Sequence, residues 1–196
     1  MINLINMTLF RIGGWKVIGE KPANITKCVV VGAPHTSNFD YFFALGGLNI
    51  INAPVKVLIK KDWLKNKLIG GLLINAGAVG VDRSKNNTMV ESLAELILSA
   101  KEEFYLLIAP EGTRKLTDNW KTGFYHIALK AKVPILLIGL DYKKKHAIVG
   151  PSFMPTGCYE RDMQILRDFY KDLAPKYPQN FSLKIYTSDS EAVCPD

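Results

Sequence analysis

Apolar residues recur at spacings of three and four over the first dozen positions, as Ile2, Ile5, Leu9 and Ile12. That period predicts a short helix with one apolar stripe. Its other face carries Asn3, Asn6 and Thr8 in place of the lysines and arginines of interfacial helices, so the stripe is expected to dock on the core, with a membrane surface as the alternative. Farther along, β-branched apolar runs at 28–31, 55–59, 104–108 and 134–140, each bounded by Gly, Pro or a charged pair, predict buried strands. Between them, 37–51, 62–74, 88–101 and 120–131 predict helices, the third with Val90, Leu93, Ala94, Ile97 and Leu98 on one face. A last helix at 159–173, packed through Met163, Leu166 and Phe169 or Tyr170, and an edge strand at 182–186 complete the pattern.

Strands alternating with helices imply an α/β fold: a single-domain sandwich with a central, largely parallel or mixed β-sheet flanked by helices. The chain of 196 residues fits one such domain. It divides into an N-terminal amphipathic helix at 1–14, the main domain at 15–187 and a flexible tail at 188–196. In sheets of this kind ligands bind beyond the carboxyl ends of the strands, so the chemistry is sought in the strand-to-helix loops.

Composition narrows the partners. Hydrophobic residues at 48% and charged residues at 22% exclude a disordered or low-complexity chain. The formal net charge of +7 points to an anionic partner: nucleic acid, an anionic membrane or a phosphorylated substrate. With 20 Lys and only five Arg, a nucleic-acid reader built on bidentate Arg contacts is disfavoured. Cys28, Cys158 and Cys194 are odd in number and far apart, which suggests neither a disulfide framework nor a zinc site, and hence no metal and a reduced, cytoplasmic setting. The first twelve residues lack the basic start and small-residue cleavage site of a secretory signal. The longest apolar stretch, 68–81, is too short and too broken by Asn75 and four glycines to span a bilayer.

Two loops are polar in an informative way. After the strand at 28–31 the chain reads Gly-Ala-Pro-His-Thr-Ser-Asn-Phe-Asp, with His35 five residues before Asp40. On one continuous helix these side chains would diverge by about 140°. They meet only if Thr36 or Ser37 caps the helix, leaving His35 in the loop and Asp40 in the first turn. The pair then suits proton transfer, with a carboxylate that fixes the imidazole tautomer and a ring nitrogen that takes a proton from a hydroxyl. With no Gly-x-Ser-x-Gly elbow, direct attack by a bound alcohol is more economical than a covalent enzyme intermediate. After the strand at 104–108 comes Ala109-Pro110-Glu111-Gly112-Thr113-Arg114, where an acceptor, a donor and a cation surround a glycine that permits close approach. A third segment, Gly77-Ala78-Val79-Gly80-Val81-Asp82-Arg83, places an Arg after a Gly-rich strand.

In order along 28–140, His-x4-Asp, Gly-x5-Arg, Pro-Glu-Gly-Thr-Arg and Val133-Pro134-Ile135 resemble the four ordered blocks of the glycerolipid acyltransferase family, which includes 1-acylglycerol-3-phosphate acyltransferases. Trp120-Lys121-Thr122-Gly123-Phe124 is similar to the segment that commonly follows the third block. The resemblance implies an acyltransferase domain at 15–187. It implies transfer of a fatty acyl group from acyl-CoA or acyl-carrier protein to the hydroxyl of a lysophospholipid. It makes His35 the general base and Asp40 its orienter, and assigns Arg83, Glu111, Gly112, Thr113 and Arg114 to the acceptor and its phosphate. Val133 and Pro134 are assigned to the acyl or donor pocket. A thioester is already activated, so no cofactor and no metal is expected. Pro34, Val79, Gly80, Ala109 and Leu137 depart from the family's usual residues and bear on substrate choice, while the His35 and Asp40 positions are kept. Peripheral contact with the inner face of the cytoplasmic membrane is expected through the N-terminal stripe, the apolar residues at 63–64 and 68–73, and Lys56, Lys60, Lys61, Lys65 and Lys67. Rival readings are a non-catalytic lipid- or phosphate-binding protein and a thioester hydrolase.

Overall fold

Four consecutive residues of the strand β2 (Lys27–Ala33), Cys28 to Val31, are fully buried. A run of that kind belongs at the centre of a sheet covered on both faces. In the computed structural model, which describes residues 2–64, 70–75, 77–81 and 86–185, β2 lies between two parallel neighbours, β5 (Phe104–Ile108) and β6 (Ile135–Asp141). Next to β5 come β3 (Val55–Lys60) and β4 (Ala78–Val81), both parallel. On the other side β7 (His146–Phe153) runs antiparallel to β6 and carries the short β1 (Lys16–Ile18) parallel to itself. Among the described residues the order is β1-β7-β6-β2-β5-β3-β4, one mixed sheet.

The period of two along β2 sorts the core. Val29 and Val31 face α5 (Asn86–Ser99), α6 (Gly123–Ala131) and α7 (Tyr159–Tyr170), in a layer with Leu93, Ile97, Phe124 and Met163. Cys28 and Val30 face α2 (Phe39–Ile50) with Leu45 and Leu48. The predicted helix at 62–74 is described as two short pieces, α3 (Lys61–Leu64) and α4 (Gly70–Asn75), with 65–69 outside the described residues.

Three expectations change. The helix α1 (Ile2–Ile12) forms, but it docks through Asn6 and Phe10, while Leu4, Ile5, Leu9 and Ile12 are exposed. Its partner decides this: Gly46 on α2 lies so close to α1 that a Cβ there would meet the Asn6 carbonyl oxygen at 2.7 Å and Phe10 Cβ at 2.8 Å. Second, residues 181–185 are not a strand; Trp120 holds this segment by accepting none of its groups but donating Nε1–H to the Ser182 carbonyl and N–H to the Lys184 carbonyl. Third, β7 was not anticipated, because Gly150 and Pro151 interrupt its alternation where its register against β6 shifts. Cys28 is a free buried thiol, its pKa pushed well up by burial. No helix among the described residues is long and apolar enough to cross a membrane.

Candidate active site

The loops after β2 and β5 meet at the carboxyl end of the sheet. Helix α2 begins with Asn38 at the capping position, later than a Thr36 or Ser37 cap implies, and Asn38 makes no side-chain cap bond. Asp40 in the first turn folds back instead: its Oδ2 accepts the N–H groups of Thr36 at 2.7 Å and Ser37 at 2.8 Å. The Ser37 hydroxyl accepts the Phe39 N–H. This collar keeps the loop tight and brings His35 Nδ1 to 3.3 Å from Asp40 Oδ2. Asp40 is buried, whereas the His35 side chain is 25% exposed. With Nδ1 turned to the carboxylate, Nε2 is the ring nitrogen available to a substrate.

The second loop locks onto the first. Glu111 Oε1 accepts the His35 backbone N–H at 2.8 Å, and Glu111 Oε2 is buried with no hydrogen-bond partner among the described residues. Burial raises the Glu111 carboxyl to about 7; the Asp40 charge pushes the same way, and His35, through its N–H and its charge, offsets part of the rise. Glu111 is not in the cavity wall; its carboxylate sits behind the His35 loop. Gly112 is in the left-handed region at φ +67°, and a Cβ there would lie 2.9 Å from Lys121 Cε.

Above these loops opens a cavity of about 950 Å³. Its polar end holds His35, Asp40, Thr113, Arg114 and Lys121; neither Arg114 nor Lys121 is in an ion pair among the described residues. Its walls are apolar and extend two ways, toward Val57, Leu58 and Met89 on one side and toward Ala44, Gly47, Leu48 and Ala147 on the other. Such a volume, mostly apolar with convergent polar groups at one end, suits an acyl chain with a charged head.

The structure brings His35, Asp40, Gly112, Thr113 and Arg114 together at this cavity. It does not bring Val133 and Pro134 there. Val29 pairs with Ile135 in the parallel register of β2 and β6, and the Pro134 carbonyl accepts the Val29 N–H, so both residues sit at the amino end of β6, a strand length from His35. The far end of β6, at Ile138, Gly139 and Leu140, is what lines the cavity. Arg83 lies outside the described residues. Two contributors escaped sequence reasoning. Lys121 lies in the segment after the third block, where the resemblance assigns it no role, and Tyr142, whose hydroxyl donates to Asp40 Oδ1 at 2.6 Å across 102 positions of sequence, carries no local signal.

A family model described as Acyltransferase matches residues 15–140, more than half of the chain. The chain belongs to the acyltransferase family. It is 33% identical over 106 residues to the 1-acyl-sn-glycerol-3-phosphate acyltransferase of Cocos nucifera, covering 52% of this chain and 33% of that protein. It is 30% identical over 129 residues to the enzyme of that name from Escherichia coli (strain K12), covering 63% of this chain and 51% of that protein. The chain thus spans about a third to a half of the length of these curated relatives. The crystal structure of the 1-acyl-sn-glycerophosphate (LPA) acyltransferase PlsC from Thermotoga maritima superposes with a TM-score of 0.58 at 18% identity, over 87% of this chain and 74% of that one. The shared fold is the acyltransferase α/β sheet described above. The family match at 15–140 contains both polar loops.

Proposed function

We propose that this chain is an O-acyltransferase that moves a fatty acyl group from acyl-CoA or acyl-carrier protein to the free hydroxyl of a lysophospholipid such as 1-acyl-sn-glycerol-3-phosphate. The observation that carries the reading is the His35–Asp40 pair at the polar end of a long apolar cavity, in a chain of the acyltransferase family. Asp40 holds Nδ1–H, so Nε2 takes the acceptor's hydroxyl proton as that oxygen attacks the thioester carbonyl carbon. The tetrahedral intermediate collapses, the carbon–sulfur bond breaks, and the leaving thiolate recovers the proton from Nε2. Ester and thiol are the products. The activated thioester supplies the driving force, so the step draws on no cofactor or metal, and the protein's part is alignment and proton transfer. Arg114 and Lys121, with Arg83 as the second-block residue, suit the acceptor phosphate.

The same reading places the protein on the inner face of the cytoplasmic membrane. Helix α1 runs antiparallel to α2, with Gly13 just past its end beside Phe43 and its Asn3 sharing a small pocket with Asn49. Its exposed Leu4, Ile5, Leu9 and Ile12 therefore form an apolar ridge whose Ile12 end lies toward the start of α2, where Asp40 is. Such a ridge suits peripheral insertion beside a site that takes lipid.

The test is product identification by mass spectrometry after incubation with palmitoyl-CoA, or palmitoyl-carrier protein, with and without lysophosphatidic acid. Acceptor-dependent formation of diacylated phosphatidic acid is expected. Free palmitate formed at the same rate without acceptor would replace the transferase with a hydrolase.

A further inference from the structure

Asp40 is asymmetrically held. Its Oδ2 accepts two backbone N–H groups and lies 3.3 Å from His35 Nδ1, whereas among the described residues Oδ1 is held only by the Tyr142 hydroxyl, at 2.6 Å. Tyr142 follows β6, outside the four motif blocks, and nothing in its own sequence neighbourhood marks it. Its ring is fixed independently of Asp40. Trp15 meets it edge-on at a centroid distance of 4.9 Å and 88°, and Phe43 at 6.0 Å and 78°, while its backbone N–H donates to the Ala174 carbonyl at 2.8 Å. The hydroxyl is therefore aimed by packing before any substrate arrives, and little rotamer freedom is lost in making the bond.

We infer that Tyr142 is a positioning residue for acyl transfer, locking the Asp40 carboxylate so that Oδ2 and not Oδ1 faces the His35 imidazole. The inference rests on the acyl-transfer reading above. A carboxylate anchored through one oxygen can still rock about its terminal torsion, which is broad for Asp. Rocking by a few tenths of an ångström at a 3.3 Å contact changes how often Nδ1–H is held and Nε2 presented. A short charge-assisted bond to the second oxygen removes that motion. Tyr142 touches neither the acceptor nor the donor in this account: it is absent from the cavity wall. Its loss should lower kcat and leave KM alone.

Tyr142→Phe keeps the ring and its contacts with Trp15 and Phe43 and deletes the oxygen. Steady-state transfer from palmitoyl-CoA to lysophosphatidic acid is expected to show kcat down about tenfold, the rate equivalent of losing one well-made bond, with KM for both substrates within twofold. A thermal melt checks that the variant folds. The decisive arm repeats Tyr142→Phe in an Asp40→Ala background, read by single-turnover formation of product. Because Tyr142 acts through Asp40, the second substitution is expected to change the residual rate less than twofold. An equal tenfold loss in both backgrounds, or a single variant with wild-type kcat, overturns the inference while leaving acyl transfer intact. A wild type that makes no diacylated product overturns the acyl-transfer reading, and this inference with it.

Discussion

Two buried aspartates sit in the first turns of helices in this protein, and their surroundings are nearly the same. Asp40 in α2 accepts N–H groups from Thr36 and Ser37 and the hydroxyl of Tyr142. Asp162 in α7 accepts the N–H and hydroxyl of Thr156 and the hydroxyl of Tyr125. Tyr125 in turn accepts the Gly157 N–H. Both collars satisfy a carboxylate that would be costly to bury alone and tie an incoming loop to a helix start. The difference is the remaining neighbour. At Asp40 it is His35, with one nitrogen on the carboxylate and the other free toward a cavity; at Asp162 the described partners belong to the fold alone. The collar is general engineering of a helix start, and chemistry enters only where it holds a group with an atom left over.

Alanine at each aspartate separates the two. Asp40→Ala is expected to lower acyl transfer by about 100- to 1,000-fold, through loss of the imidazole's orientation. Asp162→Ala is expected to leave the rate per folded molecule within threefold and to cost about 3 kcal/mol, roughly 10 °C in Tm, by stranding the Tyr125 and Thr156 donors. Parallel initial-rate and calorimetric measurements check both; equal losses of activity would erase the distinction. A third buried carboxyl sharpens it. Glu111 is raised to about 7 by burial, so between its ordinary 4.5 and that value the native state holds a proton that the unfolded chain has released. Stability therefore falls as pH rises through that window, by up to about 3 kcal/mol. Glu111→Gln keeps an acceptor for the His35 N–H and should flatten this slope, read from urea unfolding at pH 4.5, 6 and 7.5. The smallest expected effect is at the rim: Lys121→Ala and Arg114→Ala should each raise KM for lysophosphatidic acid about tenfold with kcat within threefold, as for lost phosphate contacts. Rate measurements across acceptor concentration read this directly.

The sequence made the central sheet and the polar loops legible because each is a local signal. Continuous apolar runs mark β2, β3, β5 and β6, and the requirement that His35 stand outside a helix whose first turn carries Asp40 follows from helical angles alone. What escaped depends on partners distant in sequence. The orientation of α1 is set by the Gly46 groove on α2, which no property of residues 2–12 reveals; Ile5, Leu9 and Ile12, predicted to be buried, are left exposed. The assignment of Val133 and Pro134 to the pocket came from resemblance, and the parallel register of β6 against β2 puts them at the other end of the sheet. Tyr142 needed the fold to cross 102 positions, and the burial of Glu111 and its bond to the His35 N–H depend on a loop 76 positions away. Proximity in sequence brought out the His35–Asp40 pair; the parts that hold it still come from topology.

The most direct test of the account is His35→Ala, measured by thiol release from palmitoyl-CoA with and without lysophosphatidic acid alongside a thermal melt. Among the described residues the His35 side chain makes no polar contact beyond that with Asp40. The account predicts that acceptor-dependent release falls at least about 1,000-fold while Tm moves by no more than a few degrees. A folded variant that still transfers the acyl group at the wild-type rate would contradict it.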